Sequence, residues 1–222
     1  MSCVIILMSF SGYSGTPAKE APPNIVFVFV DDMGFGDAGC YGNRVIRTPN
    51  LDRMAKEGIL FTNFTTASPV CSPSRVGVMT GQYPSRHGFD GHLAGLEINQ
   101  RRGMPNFLDP GVATLTKILQ DAGYATGHFG KWHMGGPQDK DAPPPSAYGI
   151  DVSGTVLSNG PGYSKEGDRR ANSSFRIMQH TLDFIEANAD KPFFINCWLI
   201  DPHSVLAPSE EQLADYPELQ SR

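Results

Sequence analysis

The amino-acid sequence predicts a doubly wound α/β fold, a mostly parallel sheet with helices on both faces. Two apolar runs that end in polar residues, "NIVFVFVDD" (24–32) and "KPFFINCWLIDPH" (191–203), read as strands buried on both sides. Between them, segments of helical periodicity alternate with shorter apolar strands, and no internal repeat breaks the alternation. At 222 residues, 40% of them hydrophobic, the chain can bury a sizeable core as one domain or the larger part of one.

The elements follow in order. Residues 1–22 read as a signal-like or disordered N-terminal segment, and 23–222 as the folded body. "MSCVIILMSF" has a short apolar centre followed by small and polar residues, as at the end of a secretory signal, although the first basic residue is Lys19. That pattern points to a periplasmic or secreted protein. After the first buried strand, "TPNLDRMAKEG" offers Thr48 as N-cap, Pro49 at the first helical position, Leu51, Met54 and Ala55 on one face, and Gly58 as the stop. "ILFTNF" (59–64) then reads as a second strand. In "VATLTKILQDAG" Leu115, Ile118, Leu119 and Ala122 share a helical face that Gly123 ends, and "YATGHF" is the next strand. The Pro-, Gly- and Ser-rich stretch 139–167 reads as surface loop. "NSSFRIMQHTLDFIEANAD" is helical with Phe175, Met178, Leu182 and Ile185 inward, and it leads into the last strand. No apolar run approaches the ~20 residues of a membrane span.

Eighteen basic against 23 acidic residues give a net charge of −5, so no broad basic face favours nucleic acid or an anionic membrane. Cys3, Cys40, Cys71 and Cys197 stand far apart without a C-x-x-C pair, so neither a zinc ribbon nor a dense disulfide scaffold is indicated and one bridge at most fits. Polar residues gather where strands end: Asp31 and Asp32 after the first, "GKWH" (130–133) after the third, and "DPH" (201–203) after the last. In open α/β sheets the ligand crevice lies beyond the carboxyl ends of strands, so these patches should converge.

"GFGDAG" (34–39) matches a dinucleotide fingerprint in spelling only. Its neighbours Asp31, Asp32 and Asp37 would repel a pyrophosphate, and no helix opens behind the glycines. Adjacent Asp31 and Asp32 without a nearby Lys or Arg in sequence suit a hard cation bound by oxygen, Ca²⁺ or Mg²⁺, although exposed turns also carry aspartates. In "PVCSPSRVGVMTG" (69–81) Ser72 reads as N-cap and Pro73 as the first helical residue, with Arg75 in the first turn. Cys71 therefore stands at a helix N-terminus, where backbone N–H groups favour an anion and a buried apolar thiol is out of place.

Three residues separate Cys71 from Arg75, not the five of a cysteine-phosphatase loop. Cys71, Pro73 and Arg75 spell C-x-P-x-R, followed by Thr80 and Gly81, and this resembles the signature of the type I sulfatases. The resemblance runs from about Asn24 to the end in the family's order. It takes in Asp31 and Asp32, "TPNLDRMAKEGILFTNFTT", "GQYPSRHG", Lys131 and His133 in "GKWHMG", and His203 in "DPHSVLAP". It implies an alkaline-phosphatase-like fold and a sulfuric ester hydrolase. Cys71 would be converted by a formylglycine-generating or maturation enzyme to formylglycine, an aldehyde whose hydrate attacks sulfur with one hydroxyl and expels sulfate with the other. The metal ligands implied are Asp31, Asp32 and modified Cys71, holding Ca²⁺ or alternatively Mg²⁺.

The same resemblance gives Arg75 the orientation of the hydrate and has Lys131 bridge nucleophile and sulfate. His133 would orient a hydrate hydroxyl, and His203 would bond the ester and help protonate the leaving oxygen. His87, His92, His128 and His180 match no family motif, and Trp132 reads as packing. The implied substrate is a sulfated small molecule or polysaccharide, with "PPPSAYGID" and "DPHSVLAPSEEQ" resembling exported polysaccharide sulfatases. Phosphomonoester or phosphonate ester hydrolysis, or a non-catalytic remnant, are the alternatives. The family's further Asp-Asn metal ligands and second lysine have no counterpart in "SVLAPSEEQLADYPELQSR". The chain therefore reads as the N-terminal part of a sulfatase catalytic domain, C-terminally truncated, with little or no activity by itself.

Overall fold

A computed structural model describes residues 3–8 (backbone only), 22–135, 139–156, 171–204 and 206–217. Five strands form one sheet in the order β1-β2-β5-β3-β4: β1 (Cys3–Met8), β2 (Ile25–Asp31), β3 (Ala125–Lys131), β4 (Val152–Val156) and β5 (Phe193–Pro202). β2, β5, β3 and β4 run parallel, and β1 is an antiparallel edge strand with Cys3 opposite Val30 and Met8 opposite Ile25. The apolar centre of the signal-like segment is thus strand in this structure. The rest of 1–22, apart from Pro22, lies outside the described residues.

The helices are α1 (Pro49–Glu57), α2 (Cys71–Thr80), α3 (Leu96–Arg101), α4 (Leu115–Asp121), α5 (Ser173–Ala187) and α6 (Glu210–Ala214). Helices cover both faces of the sheet, as the pattern of two-sided strands requires. On one face Phe27, Phe29, Phe194 and Trp198 meet Val76 and Met79 of α2, with Leu115 and Leu119 of α4 packed alongside. On the other, Phe129, Phe193, Ile195 and Cys197 meet Ile177 and Phe184 of α5. Trp132 packs against Tyr148 as expected.

Several sequence expectations are corrected. "ILFTNF" is not a strand: Ile59 is 81% exposed, Phe61 and Phe64 also face outward, and among the described residues the segment joins no sheet edge. A strand needs a partner for its backbone groups, and this one reaches neither β1 nor β4. The loop expected over 139–167 contains β4. Its lead-in is tied to β3, with Thr126 Oγ1 donating to the Gly149 carbonyl and the Thr126 N–H to Asp151 Oδ2 at 2.9 Å. Residues 157–167 of that stretch lie outside the described residues.

In α4 Leu115 and Leu119 pack against the core as expected, but the fully buried residue is Thr116, bonded with Thr114 to the Tyr148 carbonyl, and Ile118 faces solvent. In α5 the inner stripe is Ile177, Thr181 and Phe184 with Ile185 packed beside it as expected, and Phe175, Met178 and Leu182 are exposed instead. That helix carries apolar residues around most of its circumference, so periodicity alone defines two stripes and the sheet selects one.

Candidate active site

The ends of β2, β3 and β5 meet at the N-terminus of α2. That helix begins at Cys71 with Val70 as N-cap, two residues earlier than the sequence suggested, and Ser74 N–H bonds the Val70 carbonyl at 3.0 Å. Ser72 is not the cap. Its Oγ accepts from Leu93 N–H at 3.0 Å, and Pro73 sits within the first turn, where a missing N–H costs nothing. Cys71 and Arg75 are four residues apart on this helix and therefore share a face.

Asp31, the last residue of β2, is 1% exposed and receives two cations. Arg75 Nη2 stands 3.2 Å from Oδ1, and Lys131 Nζ donates to Oδ2. Arg75 Nη1 also donates to the Lys131 carbonyl at 2.9 Å, and its guanidinium lies 5.4 Å from the Phe29 ring and 5.0 Å from the Trp198 ring. Burial alone would raise the Asp31 pKa, but the charges of Arg75 and Lys131 outweigh it and hold the carboxyl below its ordinary value. Burial lowers the pKa of Arg75 despite Asp31 and Cys71 favouring its charge.

Lys131 reaches this face because of Gly130. Alternation would send residue 131 to the α5 side with Phe129, yet Gly130 has φ +107°, a conformation that re-aims the following residue. A Cβ at Gly130 would stand 1.9 Å from the Trp198 carbonyl oxygen. Asp32 (φ 62°) and His133 (φ 51°) are the non-glycine residues with positive φ among those described, and such backbone strain gathers at functional sites.

Asp32 turns away from Asp31, with half of its side chain exposed, and its Oδ2 lies 3.7 Å from His203 Nε2. His133 Nε2 bonds the Leu93 carbonyl at 3.0 Å. A carbonyl only accepts, so Nε2 carries the proton and Nδ1 is left as a buried acceptor without a protein partner. Burial first, and the Lys131 charge second, push the His133 pKa down to about 3, so the ring is neutral. The structure thus brings together Asp31, Arg75 and Lys131 in direct contact, Asp32 with His203, and Cys71 and His133 within electrostatic reach of Arg75.

The donor set does not by itself fit a hard cation. Both Asp31 oxygens face internal cations, and among the described residues no group of three or more His, Cys, Asp or Glu side chains could hold a metal ion. Ca²⁺ takes 6–8 oxygens, and two carboxylates, one of them neutralised, fall well short. Cys40, Cys71 and Cys197 are free thiols. No described helix is long and apolar enough to cross a membrane.

Sequence reasoning missed His128. It matches no motif, yet it lies fully buried on β3 behind Arg75, its ring edge-on to Trp132 and Trp198 with centroids 5.1 and 4.7 Å away. A histidine at an inward position of a strand that ends in a candidate site lysine was the available signal.

A largely parallel sheet with a buried Asp-Arg-Lys cluster at its strand ends and a cysteine at a helix start defines a class: doubly wound α/β proteins with a charged centre at the carboxyl ends of their strands. Comparison narrows the class to one family. The sulfatase family model matches residues 23–221, and the chain belongs to the sulfatase family. It is 37% identical over 221 residues to N-acetylgalactosamine-6-sulfatase of Homo sapiens, a match covering 86% of this chain and 40% of that protein. It is 45% identical over 135 residues to steryl-sulfatase of Homo sapiens, covering 58% of this chain and 22% of that one.

Among solved structures, Ps i-CgsB in complex with k-i-k-neocarrahexaose superposes with a TM-score of 0.73 at 25% identity over 87% of this chain and 48% of that chain. BT4656 in complex with its substrate D-glucosamine-2-N,6-O-disulfate gives 0.68 at 28% identity over 88% and 37%. The sheet and its flanking helices are the alkaline-phosphatase-like arrangement these neighbours share. The chain spans about 40% of the N-acetylgalactosamine-6-sulfatase it matches.

Proposed function

We propose that this chain carries the nucleophile half of a sulfuric ester hydrolase, acting on carbohydrate sulfates. The observation that carries the reading is the shared face of Cys71 and Arg75 at the start of α2, set against Lys131 and Asp31. Such a site concentrates fixed positive charge where the equatorial oxygens of a transferring sulfuryl group would sit. Family membership supports the reaction type. The neocarrahexaose and glucosamine disulfate of the solved neighbours support a sugar substrate.

In this reading Cys71 is oxidised to formylglycine by a separate maturation enzyme, and its hydrate supplies one hydroxyl to attack sulfur and a second to release sulfate. Arg75, locked by Asp31, the Lys131 carbonyl and two aromatic faces, presents its fork in one orientation. Lys131, held by Asp31, would bridge the nucleophile and the sulfate. His133, neutral with Nδ1 bare, accepts a hydrogen bond from a hydroxyl on residue 71 and fixes its direction. His203 donates to the ester oxygen that leaves. Asp31 and Asp32 would contribute oxygens to a divalent cation, Ca²⁺ before Mg²⁺, only with further oxygen donors beyond those described here. Export to a periplasmic or extracellular space accords with the apolar start of the chain.

The saturation of Asp31 favours a second reading, in which this chain by itself is a non-catalytic sulfate-binding remnant. One experiment separates the readings. Co-expression with a formylglycine-generating enzyme should lower the intact mass at Cys71 by the difference between H₂S and O, and the product is then assayed on an aryl sulfate and an aryl phosphate. Modification with sulfate turnover supports the hydrolase. Modification without turnover supports the remnant, and preferential phosphate turnover or an untouched thiol overturns the sulfatase chemistry.

A further inference from the structure

Behind the site, on the α2 face of the sheet, four buried residues carry side-chain polar atoms without a hydrogen-bonding protein partner: Arg75 Nε, Trp198 Nε1, Asn196 Oδ1 and the two ring nitrogens of His128. All four residues are fully buried. His128 and Asn196 are register partners on β3 and β5, and Trp198 is the next residue of β5 on the same face. The Trp198 ring touches both the His128 ring, at 4.7 Å, and the Arg75 guanidinium, at 5.0 Å. Asn196 Nδ2 donates to Met79 Sδ at 3.6 Å, and its Oδ1 is left without a protein partner. One edge of His128 faces the backbone of Gly130 and Lys131, and the Lys131 carbonyl also accepts from Arg75.

The chemistry of these atoms is complementary to a single molecule. Arg75 Nε and Trp198 Nε1 are donors only, Asn196 Oδ1 is an acceptor only, and a neutral imidazole with its N–H toward the strand backbone offers one acceptor nitrogen. Two donors and two acceptors match the four hydrogen-bonding valences of a water. Leaving them all unmet would carry the desolvation penalty of each group, a burden native interiors avoid by trapping water. We propose that these four groups enclose one structural water, and that through it His128 acts as a positioning residue for the Arg75 guanidinium. The consequence for sulfate handling rests on the function proposed above; the hydration site and its grip on Arg75 do not.

The test is nuclear magnetic resonance on the ¹⁵N-labelled full chain. It has two tryptophans, so Trp132→Phe assigns the Trp198 indole N–H at once. The expected result is an indole proton protected from bulk exchange that nonetheless shows a cross-peak to long-lived water, with an equally protected Arg75 Nε–H. His128→Leu should abolish the water cross-peak, move the Trp198 indole proton upfield and broaden Arg75 Nε–H, whereas His128→Gln, which keeps an acceptor, should restore all three. Absence of the water cross-peak in the unmodified chain would overturn the proposal without recourse to any variant. So would an Arg75 Nε–H signal indifferent to a folded His128→Leu. Neither readout depends on Cys71 modification or sulfate turnover, so failure here leaves the hydrolase reading standing and the converse also holds.

Discussion

The strand ends around Arg75 and the flank formed by residues 35–64 differ in almost every physical respect, although both are rich in apolar and charged residues. At the strand ends a charged triad is fully buried, roofed by aromatic rings and tied by hydrogen bonds and ion pairs between two strands and a helix. On the flank, Phe35, Val45, Ile59, Phe61 and Phe64 face solvent, and the chain is held by short polar ties such as Asn43 Oδ1 accepting from Val45 and Ile46 N–H and Tyr41 Oη donating to the Phe61 carbonyl. The lesson is that burial here follows the number of layers overhead. Where α2 covers the sheet even a lysine is interior, and where nothing covers the chain even phenylalanine is not.

The comparison is broken most severely at Gly130. Gly130→Ala should place a methyl group against the Trp198 carbonyl in a backbone conformation that side chains resist, and no rotamer change relieves a clash with backbone. A loss of more than about 4 kcal/mol is expected, enough to abolish cooperative unfolding in a denaturant titration. Gly81→Ala, at a helix end with open space around it, should cost only about 1–2 kcal/mol. Similar losses at both glycines would mean that Gly130 does not steer Lys131.

Next in size is Asp31→Asn, which leaves Arg75 and Lys131 buried without their anion. Breaking a buried pair from one side costs about 3–5 kcal/mol, so the urea midpoint should fall sharply. Asp32→Asn, at a half-exposed carboxylate one residue away, should change stability by less than about 1 kcal/mol. A Ca²⁺ titration sharpens the same contrast: with Asp31 held by internal cations, millimolar Ca²⁺ should leave the melting temperature of this chain unchanged, and a rise that saturates would show that Lys131 yields its place to the ion.

Acid should find the buried side before the flank. His128 and His133 are both held down at about 3, by burial first and then by the charge of Arg75 on His128 and of Lys131 on His133. An unfolded chain protonates them near 6.5, so between pH 6.5 and about 3 the unfolded state binds more protons. Stability is then complete above pH 6.5 and falls with acidification at about 1.4 kcal/mol per pH unit for each ring. Asp31, whose folded pKa is depressed, adds a further loss only below its ordinary 3.8. Denaturation midpoints across this range in the original chain and in His128→Leu should differ by one ring's share of the slope, and equal slopes would show that His128 is not buried neutral.

How much of this was legible beforehand divides along the same line. The strands under α2, the α1 caps at Thr48, Pro49 and Gly58, and the convergence of Asp31, Arg75, Lys131 and His203 at strand ends are written in local pattern, because two-sided burial and helix signals are local properties. Which stripe of α5 meets the sheet, the strand hidden after Asp151, and the fate of "ILFTNF" depend on what lies across space, and no spacing in the sequence encodes that. The saturation of Asp31 was illegible for the same reason, since its partners Arg75 and Lys131 lie 44 and 100 residues away.

The smallest expected effect is on the flank itself. Phe61 contributes its carbonyl to Tyr41 through backbone, and its ring, more than half exposed, stands 5.9 Å from that of the similarly exposed Phe64. Phe61→Ser keeps the carbonyl and removes a ring already in water, so stability should move by no more than about 0.5 kcal/mol. Solubility should rise, because a cluster of exposed aromatic groups is an aggregation hazard that one hydroxyl interrupts. Equilibrium unfolding in urea decides it: a loss near the 3–5 kcal/mol typical of a core phenylalanine would mean that the segment is packed, and that the division between covered sheet and open flank is drawn in the wrong place.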